Sequence, residues 1–152
     1  MRSIVELRAW TAPALDALVV ESEAEGFRFL RRLRDEWLSG ANRFSREGEV
    51  LLGVFEAERL VAVGGVNRAT ARVGRLRRFY VARDARSQGV GRELARHLLA
   101  LAARRFARVE LRTDTVEADR FYRAIGFSKL PPGSDATHAI ELETAAAGAK
   151  RC

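Results

Sequence analysis

A chain of 152 residues, 47% hydrophobic and 31% charged, suits one globular domain with a sizeable core and excludes a disordered chain. A single cysteine, Cys152, excludes a disulfide framework, and His97 and His138 stand apart without zinc-site spacing, so no metal is expected. The net charge of +7 is almost all arginine, but acids interleave with it, as in Arg31-Arg32-Leu33-Arg34-Asp35-Glu36. That pattern disfavours a nucleic-acid surface; what remains is a compositional preference or a small anionic ligand.

The opening residues, Met1 to Glu6, lack the apolar run of a signal peptide, and no run approaches the ~20 apolar residues that span a bilayer. The expectation is a soluble, cytoplasmic protein. One domain is expected over residues 1–145, with a loose tail over 146–152.

Alternation from Val5 to Ala9 predicts a first strand. Thr11-Ala12-Pro13 reads as a helix start, with threonine as cap and proline in the first turn. A second helix is predicted from about Glu23 to Leu38, carrying Phe27, Leu30, Leu33 and Trp37, and ended by Ser39-Gly40-Ala41-Asn42. Val50–Phe55 and Leu60–Val66 form a hairpin, and Gly64-Gly65 inside the second run suggests a bulge. Arg72 to Val81 completes a three-strand meander.

After a glycine-bearing loop, a helix from about Val90 to Arg105 buries Leu94, Leu98 and Leu101. Val109–Arg112 is a strand. Asp114-Thr115-Val116-Glu117 resembles a capping box and starts a helix with Ala118, Phe121, Tyr122 and Ile125 on one face; Gly126 ends it. Phe127–Leu130 and Ala139–Leu142 are final strands about a Pro131-Pro132-Gly133 turn. The order predicts an α/β (α+β) fold: a mixed, largely antiparallel sheet of about six to seven strands with helices on both faces.

The loop Arg86-Ser87-Gln88-Gly89-Val90-Gly91-Arg92 lies between strand and helix, where backbone N–H groups, a helix dipole and two arginines suit a phosphate or pyrophosphate. It is not a P-loop, since no Gly-Lys dipeptide exists. It is not the dinucleotide fingerprint either, because Leu94 stands where a third glycine belongs.

The run from Arg78 to Leu94, with Arg86, Gly89 and Gly91 in the pattern Arg/Gln-x-x-Gly-x-Gly/Ala, resembles the acyl-CoA motif of the GNAT family of acetyl-CoA-dependent N-acetyltransferases. A second family pattern, Ala-x-x-Phe-Tyr-x-x-x-Gly-Phe, is matched by Ala118, Phe121, Tyr122, Gly126 and Phe127. The resemblance implies the acyl-CoA N-acyltransferase fold and transfer of an acetyl group from acetyl-CoA to an amine. A small-molecule acceptor is favoured, with protein N-terminal or lysine acetylation as the alternative. An acyl-CoA-binding module without catalysis is the rival from another class.

The resemblance also implies roles. Residues Arg86 to Arg92 would anchor the diphosphate, with Gly89 and Gly91 leaving room for it. Phe79, Tyr80 and Val81 would offer main-chain groups to the pantetheine arm, and a backbone N–H near Val81 would face the thioester. Phe121 belongs to the same site. Tyr122 would be the general acid.

Two positions depart from the family. Thr115 stands where many members carry asparagine, and Arg75 stands where some carry a glutamate base. Glu110 is the base candidate we carry forward; His138, Tyr80 and a water chain are the others. Alternation puts Arg75 and Arg77 on one face and Arg78 on the other, where part of the group would favour an acceptor with a carboxylate or phosphate. Apolar edge strands near the C-terminus are compatible with a homodimer.

Overall fold

In the computed structural model, which describes residues 2–142, a seven-stranded sheet runs in the order β1-β2-β3-β4-β5-β7-β6. Its strands are β1 (Arg2–Glu6), β2 (Val50–Glu56), β3 (Arg59–Arg68), β4 (Val73–Val81), β5 (Arg108–Leu111), β6 (Ser128–Lys129) and β7 (His138–Glu141). The helices are α1 (Ala14–Ala24), α2 (Phe29–Ser39), α3 (Val90–Ala102) and α4 (Val116–Ile125). Only β4 and β5 pair in parallel, joined through α3; every other neighbouring pair is antiparallel. The predicted tail and Cys152 lie outside the described residues. Among the described residues no helix is long and apolar enough to cross a membrane.

The two faces of the sheet are read from consecutive residues of β4. Phe79 packs against Phe121 and Tyr122 of α4, while Tyr80 turns the other way onto Phe29 and reaches Glu21 of α1 and Glu25 just past its end. Helices α3 and α4 therefore cover one face, and α1 and α2 the other. The α3 stripe is Val90, Leu94 and Leu98, all fully buried, and the α2 stripe is Leu30, Leu33 and Trp37. Each such leucine contributes roughly 1.5–3 kcal/mol of transfer free energy.

Several boundaries differ from the sequence reading, three of them instructively. The first strand is Arg2–Glu6 and not Val5–Ala9, because the ladder to β2 closes at Glu6↔Leu52 while Arg2 is held by Glu56 and Glu93. The first helix runs through Glu23, where the second was expected to begin. It breaks at Gly26, whose φ of +91° only glycine adopts freely, and α2 restarts at Phe29. Helix α4 is capped by Thr115, whose hydroxyl accepts the Ala118 N–H, so Asp114 is not the cap.

The doublet Gly64-Gly65 is a packing necessity. A Cβ on Gly65 would come within 2.5 Å of the Phe44 ring and 3.0 Å of the Val50 carbonyl. Gly65→Ala should therefore destabilise the fold by about 1–3 kcal/mol, the cost of overpacking, seen as a lower urea midpoint at unchanged slope. A midpoint equal to wild type would show that Phe44 is free to move.

Candidate functional site

Strands β4 and β5 pair only over Val73–Arg75 with Arg108–Glu110; beyond Arg75, β4 continues to Val81 with no β5 partner. The cause lies on the other edge of β4. Val63 faces Tyr80 and Gly65 faces Arg77, so Arg78 and Phe79 together oppose Gly64. This is a β-bulge in β4, with Arg78 at φ +59°. A bulge bends its strand and adds twist, which swings the end of β4 away from β5. Gly64 makes the bulge feasible, since a Cβ there would stand 2.8 Å from the Phe79 ring. The result is a wedge whose β4 wall is an open strand edge, suited to an extended ligand with amide groups.

One end of the wedge is the loop into α3. Ser87 (φ +65°) and Gly89 (φ +83°) turn the chain, and no side chain caps the helix. The first-turn N–H groups thus face outward at the positive end of a thirteen-residue helix. The two glycines divide the work that both were expected to share. Gly89 supplies the positive φ, and a Cβ there would meet nothing within 4 Å, so the space before it is open. Gly91 instead lets α3 seat on Phe121 and Val81, each 3.3 Å from where its Cβ would be. This cradle fits a diphosphate.

The loop's side chains are mostly engaged with protein. Arg86 forks onto Glu25 at 3.0 and 2.5 Å, donates to the Val81 carbonyl at 3.0 Å and lies over the Tyr80 ring. Gln88 donates to the Asp84 carbonyl, and its own carbonyl accepts Arg2. Ser87 and Arg92 are exposed, while Val90 is buried. Arg86 thus braces the loop against α1. Its guanidinium and then the Tyr80 hydroxyl hold the Glu25 carboxyl below the usual carboxylate range. Tyr80, predicted on the strand edge, sends its ring to the α1 face; burial, then the two carboxylates, raises its pKa.

On the α3–α4 face, Phe79, Phe121, Tyr122 and Phe127 stack at centroid distances of 5.1–6.0 Å. Tyr122 is thereby set beside the unpaired stretch of β4. Burial raises its pKa, which keeps the phenol protonated near neutrality. His138 is fully buried, its Nε2 2.7 Å from Asp119 and its Nδ1 2.8 Å from Thr137. With both ring nitrogens occupied it serves to lock α4 to β7, and it leaves the base candidates. Thr115 spends its hydroxyl oxygen on the α4 cap.

Glu110 is the last β5 residue to pair with β4, directly beside Arg75, and so stands at the apex of the wedge. Its carboxylate accepts from Arg108 at 2.9 Å. Arg75 pairs with Asp135, and Arg78 with Glu36 of α2, both at 2.9 Å. The expected split of these arginines is overturned. The bulge inserts one residue, so Arg78 joins Arg75 and Arg77 on the α2 face. Sequence reading missed Arg43, Arg46 and Arg68, which the fold brings near Arg77, because they come from separate segments with no shared spacing. No group of three or more potential metal ligands occurs among the described residues.

Comparison with known proteins agrees with this geometry. The sequence profile described as "Acetyltransferase (GNAT) family" matches residues 6–127. A candidate acetyltransferase from Exiguobacterium sp. 255-15 is similar in structure, with 26% identity, a TM-score of 0.82, and 99% of this chain and 98% of that one covered. The ribosomal-protein-S18-alanine N-acetyltransferase of Escherichia coli shares the fold at 19% identity and a TM-score of 0.69, with 95% and 96% covered. So does Ard1 of Thermoplasma volcanium, at 20% identity and a TM-score of 0.71, with 93% and 97% covered. No curated protein matches the sequence.

The Glu25 clamp predicts a pH dependence. A carboxyl whose folded pKa is depressed adds stability that is complete above the unfolded value of ~4.3 and is lost as pH falls through the folded value. Wild type should exceed Glu25→Gln by about 1 kcal/mol in urea unfolding near pH 7, the scale of a partly screened ion pair. The gap should narrow progressively as pH falls below that unfolded value. A gap unchanged at pH 3 would assign the effect to packing and not charge.

Proposed function

The chain belongs to the GNAT acetyltransferase family, whose co-substrate is acetyl-CoA, and we propose that it acetylates a small primary amine by direct attack in a ternary complex. The observation that carries this reading is the wedge, with an uncapped helix N-terminus at one end and a buried tyrosine on one wall.

When bound, acetyl-CoA supplies an activated acetyl thioester; the rest of the chemistry falls to the chain. The N–H groups of Gly89 to Arg92 would hold the diphosphate, with the α3 dipole and Arg92 adding positive potential. The open edge from Leu76 to Val81 would pair with the pantetheine amides. The bulge removes Arg78 and Phe79 from direct pairing with β3, so a freed N–H there is the donor we assign to the thioester oxygen, nearer the apex than Val81. One such donor can be worth ~3 kcal/mol.

Acid and base would then act from opposite faces. Glu110, directly or through a water, accepts the amine proton from the α2 side. Tyr122, on the α4 side, donates to the departing sulfur. A phenol with a raised pKa is suited to this, because it arrives protonated at every physiological pH. Arginines on the α2 face favour an acceptor bearing a carboxylate or phosphoryl group. Phe121 packs on Phe79 and beside Gly91, Thr115 caps α4, and both keep only supporting roles here. Assembly as a homodimer and a cytoplasmic location belong to the same proposal.

Thiol release from acetyl-CoA with an amine panel tests the reading. Tyr122→Phe should lower turnover about 10²–10⁴-fold while acetyl-CoA still binds; unchanged turnover would remove Tyr122 from the role. Gly89→Ala should weaken acetyl-CoA binding, because alanine resists φ +83°. Binding of acetyl-CoA with no thiol release for any amine would instead favour a non-catalytic acyl-CoA-binding module.

A further inference from the structure

The sheet face opposite the aromatic cluster opens into a cleft of about 390 Å³, bounded by the end of α2, the loop that follows it, and the facing parts of β3 and β4. Its walls carry four arginines, Arg43, Arg46, Arg68 and Arg77, against two acids, Glu36 and Glu49. Both acids are already committed. Glu36 accepts from Arg78 at 2.9 Å. Glu49 accepts the Asn67 amide at 3.1 Å and the backbone N–H groups of Arg68 at 2.8 Å and Arg46 at 3.1 Å. Arg43 donates its Nε to the Trp37 carbonyl at 2.8 Å.

The guanidinium groups of Arg46, Arg68 and Arg77 have no ion-pair partner among the described residues, and what sets them apart from other unpaired arginines is that they line one cleft. Arg77 is exposed overall, and its charge is disfavoured first by partial burial and then by Arg78, with Glu36 and Asp135 offsetting part of this; an incoming anion would relieve the remainder. Buried nitrogens nearby tell the same story: the Nε atoms of Arg75 and Arg78 have no partner. Four arginines lining one cleft are the residue type suited to planar, multidentate recognition of carboxylate and phosphate.

Placement gives the cleft its meaning. Arg77 pairs across from Gly65, one residue before the bulge that opens the wedge. An anion held by Arg77 therefore lies on the α2 side of the wedge mouth, the side of Glu110.

We propose that this cleft is the anion site of the acceptor, taking the carboxylate or phosphoryl group of a small amine through Arg68 and Arg77, with Arg46 at the rim. The amine part of this inference rests on the acetyltransferase reading above; the anion site rests on the cleft alone. It reads charge and compactness in the acceptor and selects against polycationic substrates, which the unpaired arginines repel.

The test has a binding arm and a kinetic arm. Isothermal titration at fixed ionic strength compares O-phosphoethanolamine with ethanolamine, and β-alanine with β-alaninamide, so that the two arms separate phosphoryl from carboxylate recognition. Wild type should bind at least one charged member about tenfold more tightly than its neutral partner. Arg68→Gln/Arg77→Gln should lose that preference while its affinity for acetyl-CoA stays within about twofold, which also reports a folded protein. If the double variant fails to fold, Arg46→Gln alone should reduce the preference. In thiol-release assays the ratio of kcat/KM between charged and neutral partners should fall in step.

Equal binding of charged and neutral partners by wild type would overturn the inference, as would a preference that survives in the double variant. Failure of the acetyltransferase reading looks different: anions bind and the double variant loses them, yet no amine releases thiol.

Discussion

One extra residue in β4 governs the site. By placing Arg78 and Phe79 opposite the single Gly64, the bulge separates β4 from β5, and it also changes which face the following residues occupy. Both consequences are needed together. Without the separation there is no open edge along Leu76–Val81. Without the shift in parity, Phe79 would not meet Phe121 and Tyr122, and Arg78 would not reach Glu36. A residue at φ +59° costs of order 1–2 kcal/mol. It is held there by the Phe79 packing on one face and the Arg78–Glu36 pair on the other. The strain sits at the point where the chemistry is proposed to occur.

Arginine serves two distinct purposes in this chain. One set clamps segments together: Arg2 ties β1 to Glu56 and Glu93, Arg59 ties β3 to Asp84, Arg86 ties the loop to Glu25, and Arg108 bridges Glu110 and Glu141. Exposed pairs of this kind add little stability each, yet they fix where loops sit. The Arg86 fork is the clearest case, because it also holds the Val81 carbonyl and thereby sets the free end of β4 relative to the α3 N-terminus. The second set, Arg46, Arg68 and Arg77 around the α2-side cleft, has no such partners among the described residues, and it is the set to which we assign the acceptor's anion.

Local features were readable from the sequence, and features made by long-range convergence were not. The periodicity of Leu94 and Leu98, or of Phe121, Tyr122 and Ile125, reports a buried helical face directly, and both helices are where it put them. The loop from Arg86 to Arg92 and the Phe121-Tyr122 pair lie in short contiguous motifs, so the family was legible as well. Gly26 carries no sequence signal of a break, because apolar and polar residues on either side continue a helical pattern that only its φ interrupts. The doublet Gly64-Gly65 did signal a bulge, but the inserted residue is Arg78 on the partner strand. A rule of strict alternation then assigned Arg78 to the wrong face. Arg43, Arg46 and Arg68 had no signal at all, since nothing in their spacing says that α2, its following loop and β3 will meet Arg77.

The faces of the wedge also bear on how acid and base could coexist. Tyr122 packs among Phe79, Phe121 and Phe127, with His138 at 6.5 Å, and burial raises its pKa. Glu110 lies across the sheet beside Arg75, its carboxylate accepting from Arg108. The sheet is the partition that keeps the two groups from neutralising each other, and the wedge is the one place where it is open. Proton transfer between them would have to pass through whatever occupies that gap. A proposed base on one side and a proposed acid on the other are then kept apart until both touch the same reacting centre.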